Sequence, residues 1–517
     1  MSHSGAMLVT DHPDAVPFAR PVFTDPEARA LSRVGVVDVG SNSVRLVVFD
    51  GAARSPAYFF NEKVLCGLGL GLRESGQLNP EGRIRALAAL DRFAALAQSM
   101  DITPLTTVAT AAVRDAEDGP AFCKEVKERT GIELYVIDGE EEARLSAQGV
   151  LLGWPDANGL VCDIGGSSME LAKLAGGTVG QRLTSDLGPQ RLMGLSGGRK
   201  AMKKHIARTV EDLFESLGEP AGEHLYLVGG SWRAIAKIDM HRRGYPLHVL
   251  HEYQMSRPDI SRSGQLIDSA NLEALRSACG ISSSRMALVP IASLVLRELV
   301  RRFKPRDICI SSYGIREGML YEQMPGRLRA RDPLIEAALF AESKDARAPG
   351  FGDTLHAFVA PLFSAAKPAQ QRLHRAACLL HDVAWRSHPD YRAETCFEYA
   401  TRANLSGMSH QERVFLGTAM MHRYANKAPT ERFAPILGLL PEKLRHEAEI
   451  LGKAMRLGAM LWQKPGQQPA GLSWRPKKRE LTLHLTPAAA PLFGEVAESR
   501  LDSLAATLGG TAKVKRG

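Results

Sequence analysis

One six-residue turn occurs twice in this chain, and the repetition constrains the fold more than any other feature. Asp38-Val39-Gly40-Ser41-Asn42-Ser43 returns as Asp163-Ile164-Gly165-Gly166-Ser167-Ser168. Each copy joins two β-rich runs, 34–38 to 44–49 and 160–163 to 169–174, and so reads as a hairpin. After the first copy the pattern predicts a strand over 57–64. A helix follows, opened by an Asn79 cap with Pro80 in its first turn, then a strand over 105–109. A helix over 120–130, a strand over 133–137 and a helix opening at Glu140 complete the run. After the second copy come a strand over 178–183, a helix over 198–217, a strand over 225–228 and a helix from Ser231. A longer polar insertion then leads to a strand over 307–310 and a helix at Ile315. A lone D-x-G-x-x-S is an ordinary hairpin turn; recurrence at the same point of two βββαβαβα runs reads as two copies of one unit.

At 517 residues the chain exceeds what one hydrophobic core holds, about 250–300 residues. Beyond residue 330 the β-rich character gives way to helical spacing over 353–363, 370–385, 394–403, 411–422 and 442–461, with one strand expected over 480–485. The division expected is a loose tail over 1–32, lobes over 33–152 and 153–330, and a helical domain over 331–517 joined through 327–333. No apolar run is long enough to span a membrane, and the first thirty residues lack the basic start and apolar stretch of an export signal. The seven cysteines are odd in number and widely spaced, with no CxxC, which fits a reduced cytoplasm.

Lysine and arginine outnumber acidic residues by a formal charge of +8, which favours polyanions without choosing among them. Clusters at Lys203-Lys204, Arg242-Arg243, 301–306 and 477–479 are candidates for guiding a long anion, against the plainer reading of solvated surface. No basic stripe interleaved with aromatics is present, which argues against nucleic acid.

Turns rich in glycine and serine can aim backbone N–H groups and hydroxyls at a phosphate. Gly40, Gly165 and Gly166 allow close approach or positive φ, and Ser41, Asn42, Ser43, Ser167 and Ser168 supply polar side chains. Asp38, Asp163 and Glu170 are hard oxygen donors of the kind that suits Mg²⁺; the alternative is that the aspartates merely cap turns. Glu140, Glu141 and Glu142 open a helix that ends the first unit, where a carboxylate can either complement the helix dipole or activate a water. Arg114 follows a predicted strand and reads equally as a phosphate contact or a surface ion-pair partner.

As a set, DVGSNS at 38–43, ATAAVRD at 109–115, GEEEARL at 139–145, DIGGSSMEL at 163–171, VGGS at 228–231 and GIREGML at 314–320 resemble the exopolyphosphatase and guanosine pentaphosphate phosphatase family. The resemblance runs from about residue 33 into the C-terminal region. It implies a mixed α/β fold: two duplicated ribonuclease-H-like lobes of the actin and sugar-kinase superfold, followed by a mostly α-helical HD-like domain. It implies Mg²⁺-dependent, processive removal of the terminal phosphate of inorganic polyphosphate. Glu141 corresponds by position to the catalytic base, Arg114 to a phosphate-contacting arginine, and Asp163 with Glu170, joined by Asp38, to the metal-binding acids. The two turns with Gly229, Gly230 and Ser231 correspond to phosphate loops, although Ser167 stands where the family usually has a glycine. A homodimer is expected by similarity alone. Hydrolysis of guanosine pentaphosphate (pppGpp) and non-hydrolytic sensing of polyphosphate or nucleotide are the competing functions. Leu380-His381-Asp382-Val383 resembles an HD signature on a helix, with His356 and His422 as companions. Either this is a second metal site or His381 is a packed or ion-paired residue.

Overall fold

The computed structural model describes residues 29–517 apart from 103–104, 219–223, 427–429, 463 and 469. The expected tail thus lies outside the described residues up to 28. The chain divides into two compact units between Ala330 and Arg331.

In the first unit, β1 (Ala30–Val39), β2 (Ser43–Ala52) and β3 (Ser55–Leu65) form an antiparallel meander, followed by β4 (Thr106–Ala109) and β5 (Tyr135–Val136). The sheet order is β3-β2-β1-β4-β5, with β4 parallel to β1 and β5 parallel to β4. A second sheet repeats this arrangement. β6 (Gly159–Ile164), β7 (Met169–Ala175) and β8 (Thr178–Ser185) form the meander, and β9 (His224–Val228) and β11 (Asp307–Ile310) run parallel to β6. The short β10 (Gln254–Met255) extends the order to β10-β11-β9-β6-β7-β8.

The local chemistry explains the elements. Alternating apolar residues of β1 and β2 bury Val36, Val47 and Phe49 on one face of the first sheet and Val37, Leu46 and Val48 on the other. The helix Pro80–Ser99 starts where the Asn79 side chain accepts from the Gly82 N–H and packs Leu87, Leu90 and Phe93 beneath that second face.

Three differences from the sequence reading concern this unit. β1 begins at Ala30, so residues assigned to the tail pair with β2, as Ala30 opposite Ala52. β5 keeps only two of the five residues expected. The polar insertion is folded, as helices Arg257–Ser269, Leu272–Ala278, Ser283–Met286 and Val289–Phe303, the last burying Val289, Val295, Leu296 and Leu299.

The helices that close the two repeats, Gly139–Gly153 and Ile315–Glu322, lie against each other at backbone distance. A Cβ at Gly149 would stand 2.2 Å from the Gly314 carbonyl oxygen, and one at Gly318 would stand 1.8 Å from that of Leu145. Only glycine fits there.

The second unit is helical around a large apolar core, and its single expected strand belongs to a three-stranded sheet. β12 (Ala470–Arg475) pairs antiparallel with β13 (Glu480–Leu485), which pairs parallel with β14 (Thr511–Arg516). The helix expected to carry His381 and Asp382 ends earlier, at Leu379. All seven cysteines are free thiols. Among the described residues no helix is long and apolar enough to cross a membrane.

Candidate active site

The two turns meet. The Gly40 N–H donates to the Ser43 carbonyl at 3.0 Å, and the Gly165 N–H repeats this bond to Ser168 at 3.0 Å. The Ser41 and Ser167 hydroxyls stand 3.2 Å apart across the cleft between them. Neither turn uses positive φ at its glycines or serines, so Ser167 fits without strain in place of a glycine. Beside them, Gly229 has φ 116° and sits where a Cβ would meet the Ile164 carbonyl at 2.6 Å. Gly229 and Gly230 line the cleft; Ser231 is buried behind it, its hydroxyl accepting from Arg285 at 3.3 Å.

Strand register sets which side chains flank the turns. Asp38 stands opposite Arg45 on β1 and β2, and Asp163 stands opposite Glu170 on β6 and β7. The duplication therefore places a cation in one repeat where the other carries an acid.

The helix Gly139–Gly153 starts at Asp138, whose carboxylate accepts from the Glu141 N–H at 2.7 Å. Its three first-turn glutamates diverge, since successive residues on a helix are rotated by about 100°. Glu140 is exposed. Glu141, the expected base, instead clamps Arg144 through both oxygens at 2.7 and 2.8 Å, and Arg144 continues to Glu322 at 2.8 Å. Glu141 is a half-buried ion-pair partner, and it is Glu142 that lines the cleft, with a buried Oε2 that has no hydrogen-bond partner. Burial first, then the charges of Glu170, Asp163 and Asp38, hold the Glu142 carboxyl well above the usual range.

Of the three acids expected to hold metal, Asp163 and Asp38 line the cleft and Glu170 lies behind it, 1 % exposed with Oε2 unpartnered. Burial and then Asp163 push Glu170 up to about 8. Burial also raises Asp163, against the Ser146 hydroxyl that donates to it. Asp38 is engaged by Arg316 at 2.9 Å.

Arg114, expected to contact phosphate, lies outside the cleft lining. Its guanidinium donates to the Ile137 carbonyl at 3.1 Å and to Asp115 at 3.0 Å. Its charge still favours the ionised forms of Glu142 and Glu170.

The cations of the cleft are the residues that sequence reasoning missed: Arg45, Lys63, Arg233, Arg285 and Arg316. Arg45 and Lys63 stand opposite each other on β2 and β3, a like-charge pair that an anion-free sheet would avoid. Burial, then Arg285 and Arg45, pulls Lys63 down to about 8; burial, then Arg316, pulls Arg45 down to about 10. Among the described residues, Arg45, Lys63, Arg233 and Arg285 have no carboxylate at ion-pair distance, and of the five only Arg316 does. Arg45 was accessible from hairpin register, and Arg316 lay within a quoted motif. Arg285 comes from the inserted helices and carried no signal.

The basic runs expected to guide an anion do not line this cleft. Arg242 and Arg243 pair with Asp239 and Asp259, Arg301 with Glu298, Arg302 with Glu211 and Arg306 with Asp307.

The donor set fits a hard cation held loosely. Asp163 and Glu142 offer oxygens to the cleft, which matches Mg²⁺ bound by one or two carboxylates with substrate oxygens completing its shell. Among the described residues no three His, Cys, Asp or Glu side chains form a ready-made cage.

In the second unit, Asp382 is bound by Arg347 at 2.7 and 2.8 Å and by the Tyr424 hydroxyl at 3.1 Å. His381 is buried, its Nδ1 on the Cys378 carbonyl at 2.8 Å, and burial followed by Arg423 pulls it down to about 4. His381 is thus a packed residue and Asp382 an ion-pair partner.

Comparison with known proteins gives concordant matches. The profile of the Ppx/GppA phosphatase family matches residues 47–327, and that of the exopolyphosphatase C-terminal domain matches residues 345–514. Retrograde regulation protein 2 of Saccharomyces cerevisiae is 25% identical over 78% of this chain and 75% of its own length. Exopolyphosphatase 1 of Mycobacterium tuberculosis is 36% identical over 27% of this chain, a match spanning 42% of that relative. Among solved structures, an exopolyphosphatase from Cytophaga hutchinsonii superposes with a TM-score of 0.52 at 24% identity, covering 57% of this chain and 98% of that one. The Ppx/GppA family member of Aquifex aeolicus gives 0.50 at 21%, covering 56% and 97%. Both likenesses concern the actin-like fold of paired sheets.

Proposed function

The chain belongs to the Ppx/GppA phosphatase family, and from that premise we propose that it is an exopolyphosphatase, releasing the terminal phosphoryl group of linear inorganic polyphosphate as orthophosphate with Mg²⁺. The observation that carries this reading is an unpartnered, buried Glu142 oxygen in the same cleft as cations that lack carboxylate partners. Cations left uncompensated in a half-buried cleft call for an anion of several charges.

In this reading the terminal phosphoryl group lies between the turns, held by their N–H groups and serine hydroxyls, while the arginines and Lys63 hold the phosphates behind it. Oε2 of Glu142 orients a water and takes its proton as the water oxygen bonds to phosphorus. The bridging P–O bond breaks, and the electron pair leaves with the shortened chain. Bound Mg²⁺ would supply neutralisation of the phosphate oxygens beside Asp163. Arg114 acts at one remove, by favouring the ionised form of Glu142.

A second reading, a non-hydrolytic regulator, is favoured by the match to Retrograde regulation protein 2 along most of this chain. Against it stands the unpartnered Glu142 carboxylate in the cleft, which a ligand sensor does not need. The test is orthophosphate release from long-chain polyphosphate and from guanosine pentaphosphate, measured side by side with and without chelator. Release from polyphosphate, lost to chelator and restored by Mg²⁺, is expected. Release from the nucleotide alone, or tight polyphosphate binding with no release, contradicts the proposal.

A further inference from the structure

Glu317 has 0 % exposure, yet it directly follows Gly314, Ile315 and Arg316, all of which line the cleft. Its Oε1 accepts from the Tyr58 hydroxyl at 2.8 Å, and its Oε2 accepts from the Gly314 N–H at 2.7 Å. Both of its oxygens are thus engaged as acceptors, with the Tyr58 hydroxyl and the Gly314 N–H as the donors. Burial and then Glu317 itself hold the Tyr58 hydroxyl well above its ordinary range, so Tyr58 remains a donor throughout neutral pH.

The negative charge of Glu317 favours the protonated forms of Arg45, Arg233 and Arg316. Among the described residues it forms an ion pair with none of them: Arg316 turns to Asp38, Arg45 to Asn61, and Arg233 to the Ser312 carbonyl. The buried Nε of Arg316 has no partner. Glu317 thus acts on the cleft through its field and is held off the guanidinium groups by its bonds to Tyr58 and Gly314.

We propose that Glu317 is a built-in counter-charge that limits how tightly the cleft grips a phosphate chain, and that Tyr58, reaching it from β3, fixes it at a distance where it weakens that grip without occupying the arginines. This rests on the exopolyphosphatase reading. A cleft of uncompensated cations binds product as well as substrate, and turnover needs the product to leave. A fixed negative charge behind the arginines lowers the affinity for both. Neither Glu317 nor Tyr58 lines the cleft, so both act as positioning residues.

The test uses the full chain and inorganic tripolyphosphate as probe, with affinity measured by calorimetry and kcat and KM measured on long-chain polyphosphate. Glu317→Gln keeps the shape, keeps the Gly314 N–H bond on its amide oxygen, turns the other bond round so that its NH2 donates to the Tyr58 hydroxyl oxygen, and removes the charge. It should tighten tripolyphosphate binding about tenfold, the scale of one half-screened charge, and lower KM and kcat together. Tyr58→Phe frees Oε1 to swing onto the Arg316 Nε and should loosen binding about threefold. Equal or weaker binding by Glu317→Gln overturns the proposal. So does equal or tighter binding by Tyr58→Phe, which alone decides the matter if the glutamine variant fails to fold. Opposed shifts in a protein that releases no phosphate would overturn the exopolyphosphatase reading and leave the counter-charge standing; an active enzyme without those shifts would do the reverse.

Discussion

Lys63 shows how much of the site is electrostatic rather than geometric. Facing Arg45 across β2 and β3 and crowded by Arg285, it is pulled down to about 8. Its positive charge, useful to a polyanion, is present below that pH and lost as pH rises through it. KM for polyphosphate should therefore climb through about pH 8, and Lys63→Arg, which stays charged, should move that rise to higher pH. A KM profile equally steep in the variant would remove Lys63 from substrate binding. At the same scale, Asp38, Asp163 and the turn serines were legible because hairpin register fixes where they point. Glu142 was not, because sequence alone did not give the rotational phase of its helix. A signal existed: Glu142, Ser146 and Gly149 recur at helical spacing on one face, and Ser146 bonds Asp163 while Gly149 touches the Gly314 backbone.

Among elements, the crossing of Gly139–Gly153 and Ile315–Glu322 does most to hold the repeats together. Because a Cβ at Gly318 would stand 1.8 Å from the Leu145 carbonyl oxygen, Gly318→Ala must push the helices apart at a cost of about 1–3 kcal/mol or more. Its melting temperature should fall by several degrees and its turnover with it, since Glu142 and Arg316 ride on these helices. A variant as stable as the parent would contradict the backbone contact. The strands of both meanders were readable from apolar alternation and turn residues. The inserted helices were not, because the polar faces of 257–278 outweigh their few buried side chains, such as Ile260, Ile267 and Leu275. β12 and β14 were missed for a related reason: β14 carries Thr511, Lys513, Lys515 and Arg516 on an edge strand, where charge masks the β pattern.

For the molecule as a whole, duplication followed by divergence accounts for the chemistry. Two copies of one hairpin bring Ser41 and Ser167 together, and the residue after each turn that faces its aspartate has become Arg45 in one repeat and Glu170 in the other. Both repeats supply cations and acids to the cleft, Arg45 and Lys63 with Asp38 and Glu142 from the first, and Arg233, Arg285 and Arg316 with Asp163 from the second. Among the described residues of the second unit, the acid singled out by the sequence, Asp382, is committed to Arg347. The central claim, that Glu142 is the carboxylate that activates water while Glu141 serves only its ion pair with Arg144, is tested most directly by orthophosphate release from long-chain polyphosphate in two single variants. Glu142→Gln should lose about 10²–10⁴-fold in kcat with polyphosphate binding retained, and Glu141→Gln should stay within about threefold of the parent, since its half-buried ion pair with Arg144 lies outside the cleft lining. The opposite ranking, or full turnover by Glu142→Gln, would contradict the account.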